Sequence, residues 1–112
     1  MQSMKSLKFS GDLIPLVICG DKNTTWRIND EKNLSSGEII SLKDHFGKEF
    51  GKAEILDVRE TTFGKLDVRD KEGHEMFSSD EDMLKIYSGY YGFQVSLETS
   101  LKVIRFRLLD GN

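Results

Sequence analysis

A chain of 112 residues is one ordinary domain, because two separate cores would leave each half too small to bury itself. Hydrophobic residues make up 38% and charged residues 31%, a polar balance, yet 10% aromatics and regular Val/Ile/Leu runs exclude intrinsic disorder, and one proline excludes a collagen-like or Pro-rich segment. The net charge of −3 is uneven: residues 66–82 hold seven acids and two bases, residues 1–65 are balanced, and residues 83–112 carry a net of +2, so nucleic acid is not excluded as a partner.

A single cysteine, Cys19, rules out an internal disulfide or a thiolate metal cage and fits a reducing compartment. No apolar run reaches the ~20 residues of a membrane span. The N-terminus lacks a signal-type apolar stretch, since Lys8 and Ser10 interrupt Leu7 and Phe9. The expectation is one soluble, cytoplasmic domain over residues 1–112, with its core at about 5–109, that keeps clear of membranes and is a monomer or weak homodimer.

In chain order, Leu7 and Phe9 alternate with polar neighbours as a short strand. Asp12 is placed to cap a helix from Leu13 to Gly20, with Pro15 in its first turn and Leu13, Ile14, Leu16, Val17 and Ile18 buried. Thr24 to Ile28 is β-branched and aromatic, hence a strand; residues 29–37 form a polar loop. Glu38 to Lys43 and Lys52 to Arg59 read as strands around a turn bracketed by Gly47 and Gly51, the second apolar on both sides and therefore central. Around Gly64 one short helical turn fits. Ser78 and Glu81 form a capping box for a helix carrying Met83, Leu84, Ile86 and Tyr87, closed at Gly89 and Gly92. Leu101 to Leu109 is the longest strand, with Ile104, Phe106 and Leu108 on one face and Arg105 and Arg107 on the other. Most links between strands are too short for parallel crossovers, so the expected fold is α+β, mainly β: a small, mostly antiparallel barrel of five or six strands with two packed helices.

Phosphate-loop, GxGxxG and paired-histidine metal motifs are absent. His45 and His74 lack partners at ligand spacing, so no metal or cofactor is expected and both imidazoles read as solvated loop residues. The chemistry-bearing stretch is Gly20-Asp21-Lys22-Asn23-Thr24-Thr25-Trp26-Arg27. Alternation puts Thr25 and Arg27 on one strand face, and Lys22 sits at the turn before them. An ammonium, a hydroxyl and a guanidinium at one junction suit an anion or carbonyl. The plain alternative is a polar turn whose Arg27 pairs with a surface acid.

The series Leu7-Lys8-Phe9, an apolar helix, Gly20-x-Lys22-x-x-Thr25-x-Arg27, Ser36-Gly37-Glu38-Ile39-Ile40, Gly51-Lys52-Ala53-Glu54-Ile55, Ser78-Ser79-Asp80-Glu81, Tyr90 and Val103-Ile104-Arg105-Phe106-Arg107-Leu108 resembles the activating-signal-cointegrator homology (ASCH) domain over about residues 5–109. The resemblance implies a PUA-like barrel with a cleft between barrel and helices. Such domains are proposed to bind RNA, and some small members hydrolyse the amide of N4-acetylcytidine with a lysine, a threonine and a glutamate. By that resemblance Lys22 and Thr25 match the first two, Arg27 matches the motif arginine, and Glu75 matches the glutamate, with Glu72 as the fallback. The expected ligand is RNA or a small nucleoside, contacted by Lys22, Thr25, Arg27, Glu75, Tyr90 and Arg105. Tyr90 and Tyr91 are expected at the rim, Tyr87 and Phe106 in the core, and the cleft face positive with the acids of 67–82 mostly directed elsewhere or locally neutralised.

Overall fold

The computed structural model describes residues 4–28, 32–72, 74 and 77–109. Five strands form one sheet in the order β1-β3-β4-β5-β2: β1 (Ser6–Lys8), β2 (Thr24–Arg27), β3 (Ile39–Lys43), β4 (Glu49–Thr62) and β5 (Ser100–Leu109). All pairings are antiparallel except β1 with β3, where Leu7 lies beside Leu42. The expected small barrel is present as a half-barrel, with β1 and β2 as its two edges.

Three helices pack on the sheet: α1 (Ile14–Cys19), α2 (Val68–Lys71) and α3 (Asp80–Tyr91). One turn of 3₁₀ helix, Phe63–Lys65, occupies the ambiguous segment around Gly64. The four-residue α2 has no periodic apolar signature; an Asp67–Asp70 capping box makes it, each side chain accepting from the other's main-chain N–H at 3.0 Å.

The sheet's two faces build two cores. Leu7, Phe9, Val17, Ile40, Leu42, Ile55, Ile104 and Phe106 fill one; Trp26, Phe63, Met83, Tyr87, Leu101 and Val103 fill the other, under α3. Strand β5 serves both, because alternation sends Ile104 and Phe106 to the first core and Leu101 and Val103 to the second. Arg105 and Arg107 continue the second face beyond the cover of α3.

Several local expectations are corrected. Strand β4 runs to fourteen residues, because Asp44 closes a tight turn by accepting from the N–H groups of Phe46 and Lys48 at 2.9 Å, and Gly51 therefore lies inside the strand. A register shift between Ile55 and Asp57 turns Leu56 out to solvent, so that strand is not apolar on both faces there. Helix α1 begins at Ile14, and its N-cap is Leu13 without a side-chain bond rather than Asp12. With only six residues, α1 presents one narrow face, which buries Val17 and leaves Ile18 54% exposed. The cap of α3 is Ser79, whose hydroxyl accepts from the Asp82 N–H at 3.1 Å; Ser78 instead hydrogen-bonds the Asp82 carboxylate. Helix α3 continues through Gly89 to Tyr91 and ends at Gly92 in the left-handed region (φ 74°). That last turn carries Tyr90 and Tyr91.

The acidic run is absorbed by local structure. Asp67 and Asp70 make the α2 box, and Asp80, Glu81 and Asp82 occupy the first turn of α3, where the helix dipole favours negative charge. Among the described residues no helix is long and apolar enough to cross a membrane.

Candidate functional site

The curled sheet brings its two edges close without pairing them, and a side chain bridges the seam: Arg27 Nη2 donates to the Lys8 carbonyl at 2.8 Å. The guanidinium also lies over the Phe9 ring, 5.0 Å from its centroid. A cleft of about 290 Å³ opens there, near the lower end of the range for small-ligand sites. The β2 segment gives it Lys22, Thr25, Trp26 and Arg27. The end of β1 and the turn after it give Lys8, Phe9, Ser10 and Leu13, and α3 gives Tyr87, Tyr90 and Tyr91.

Local folding explains why these side chains meet. Gly20 adopts φ 90°, which stops α1, and the Lys22 N–H then donates to the Leu16 carbonyl at 2.9 Å. The Lys22 side chain is 2% exposed, and its ammonium donates to the Thr24 carbonyl at 2.8 Å. On the opposite face of β2, the Thr24 hydroxyl donates to the Glu72 carbonyl at 2.8 Å and Trp26 Nε1 to the Asp70 carbonyl at 3.1 Å. With that face tied to the main chain around α2, alternation turns Thr25 and Arg27 into the cleft. There Arg27 Nε donates to Thr25 Oγ1 at 3.0 Å.

The wall behind the cleft is aromatic. Trp26 stacks on His74 at 3.8 Å between ring centres and 13° between planes, and His74 Nε2 is 3.0 Å from the Tyr87 hydroxyl. His74 is thus buried rather than solvated, because its ring completes the Trp26 stack. The Tyr91 hydroxyl accepts from the Ile28 N–H at 3.1 Å, which fixes its ring, whereas Tyr90 is 58% exposed at the mouth. Tyr87 and Phe106 are core residues, as expected.

Among the described residues that line the cleft are three cations, Lys8, Lys22 and Arg27, and no carboxylate. Cations, hydroxyls and aromatic planes together suit a flat heterocycle bearing oxygen acceptors.

Lys22, Thr25, Arg27 and Tyr90 therefore share one cavity. Glu75 lies outside the described residues. The fallback, Glu72, does not reach this cleft: its exposed carboxylate is 3.6 Å from Arg105. Arg105 is also elsewhere, donating to the Arg69 carbonyl at 2.8 Å beside Arg59 and Asp70 in a separate polar depression. Sequence reasoning missed Lys8, Ser10 and Leu13, whose proximity to β2 depends on the curl of the whole sheet.

No protein-family model matches the sequence, and no curated protein matches it. Solved structures do. The ASCH domain from Lactobacillus crispatus JV V101 matches with a TM-score of 0.71 at 14% identity, over 95% of this chain and 79% of that one. A DUF984 protein from Enterococcus faecalis V583 matches with a TM-score of 0.77 at 16% identity, over 98% and 78%. The hypothetical protein PH0355 matches with a TM-score of 0.72 at 21% identity, over 93% and 97%. The chain shares the small α+β fold of these structures, the first of which is an ASCH domain.

Proposed function

We propose that the seam cleft binds a nucleoside or an exposed base of an RNA, with Lys22, Thr25 and Arg27 contacting its oxygen atoms and Tyr90 covering its face. One observation carries this reading: Arg27 spans both sheet edges and holds Thr25 inside a cleft lined by cations and tyrosines. The proposed RNA binding of ASCH domains supports it. Trp26, the chain's one tryptophan, lines the cleft and supplies the readout. Titration with cytidine and with a short single-stranded RNA is expected to change its emission, and the RNA affinity is expected to fall as salt rises. Unchanged emission and no heat of binding with either ligand would defeat the proposal.

The same Arg27–Thr25 contact favours a second reading, a cofactor-free amidohydrolase of N4-acetylcytidine-type nucleosides. Because Nε donates to Oγ1, the hydroxyl proton is not spent on Arg27, and the guanidinium would stabilise a developing alkoxide. Lys22, as the neutral amine, would take that proton while Thr25 Oγ1 attacks the acetyl carbonyl. A protonated Glu75, by the family resemblance, would deliver a proton to the leaving N4 amine of cytidine, and a water would then hydrolyse the acetyl-Thr25 ester to acetate. Release of cytidine from N4-acetylcytidine by the wild-type protein tests this directly, and no release would exclude that substrate.

A further inference from the structure

Ser10 sits in the turn between β1 and α1, and its main-chain carbonyl accepts from the Leu13 N–H at 3.0 Å. Its side chain is less settled. Among the described residues, Ser10 Oγ is the one buried side-chain polar atom with no hydrogen-bond partner. A buried hydroxyl left unpaired destabilises the fold, so its presence in a lining residue of the cleft calls for a physical reason.

We propose that Ser10 is a ligand-binding residue whose hydroxyl donates to an oxygen acceptor of the bound molecule, a base carbonyl or a phosphate oxygen. This assignment rests on the nucleoside reading above. A serine side chain has three staggered positions about χ1, so Oγ is free to leave its buried position when a ligand enters the cleft that the residue lines. Lys8, Lys22 and Arg27 line the same cavity, so an oxygen-rich, electron-rich group is what this end of it attracts. Ser10 then adds a neutral donor from the opposite edge of the sheet to Thr25. A bound ligand would give Ser10 Oγ the hydrogen-bond partner that it does not find among the described residues.

The test is Ser10→Ala, measured by thermal unfolding and by titration with cytidine and cytidine monophosphate. The variant is expected to melt no lower than wild type, since no protein hydrogen bond is lost, and to bind about three- to tenfold more weakly. Weakening for both ligands assigns the acceptor to the base or sugar; weakening for the monophosphate alone assigns it to the phosphate. Wild-type affinity for both ligands in Ser10→Ala overturns the Ser10 assignment and leaves nucleoside binding standing. Absence of binding by the wild-type protein overturns both. Should Ser10→Ala fail to fold, Ser10→Cys, of similar shape but a weaker donor, is expected to show the same loss of affinity in smaller measure, and unchanged affinity there is equally fatal.

Discussion

Arg27 Nε donates to Thr25 Oγ1 at 3.0 Å, so the two polar side chains of one strand face act as a unit. The same guanidinium reaches the Lys8 carbonyl with Nη2, so the two contacts use two separate nitrogens of a planar fork, a spread that a single ammonium nitrogen does not have. Arg27→Ala is expected to cost about 1–2 kcal/mol of stability through the lost seam bridge and to weaken nucleoside binding about tenfold or more. Arg27→Lys should recover little of either. Calorimetric titration and urea unfolding of the two variants check this, and full recovery by lysine would show that charge alone matters.

Thr25 separates binding from turnover. In a binding site Thr25→Ala removes one hydrogen bond and should reduce affinity by about 1 kcal/mol. In a hydrolase it removes the nucleophile, so any cytidine release from N4-acetylcytidine should vanish. Undiminished release by Thr25→Ala would show that another group attacks.

Tyr90 is exposed at the cleft mouth, whereas Tyr87 and Tyr91 are held in place, so substitution there should touch ligand more than fold. Tyr90→Ala is expected to change stability by less than about 0.5 kcal/mol. If a base stacks on the ring, affinity should fall by about 1–3 kcal/mol. Parallel melting and titration experiments distinguish the two effects.

Asp70 gives the protein an acid-sensitive tie. Burial pushes its carboxyl up, but Arg59, which ion-pairs with it, and the Asp67 N–H, which donates to it, hold it below the usual aspartate range. A depressed folded pKa adds stability that is complete above the unfolded value of about 3.9 and is lost as pH falls through the folded value. Asp70→Asn should therefore cost roughly 1–2 kcal/mol near pH 7, kept modest because Arg59 is partly solvated. The gap from wild type should close below about pH 4. Urea unfolding at neutral and acid pH checks it; a gap independent of pH would contradict this role for the charge.

Strand alternation alone made the cleft face of β2 legible: Thr25 and Arg27 point in because Thr24 and Trp26 are tied to the main chain behind them. Helix α3 was legible from its serines and its Met83–Tyr87 spacing, although the cap is Ser79 rather than the adjacent Ser78. The seam was not legible, because Lys8 and Ser10 meet Arg27 only when five strands have curled, and no local pattern encodes that curvature. His74 looked like a solvated loop residue because nothing in its sequence neighbourhood shows that its ring lies flat on Trp26. The strand over 52–59 read as apolar on both sides because the register shift that exposes Leu56 leaves no mark in an apolar run.

A nitrogen-15 amide titration with cytidine reports directly on where a nucleoside binds. Binding in the seam cleft predicts concerted shifts at Ser10, Lys22, Thr25, Arg27 and Tyr90, with Arg59, Arg69 and Arg105 unmoved. Shifts centred on those three arginines, or none at saturating cytidine, would contradict it.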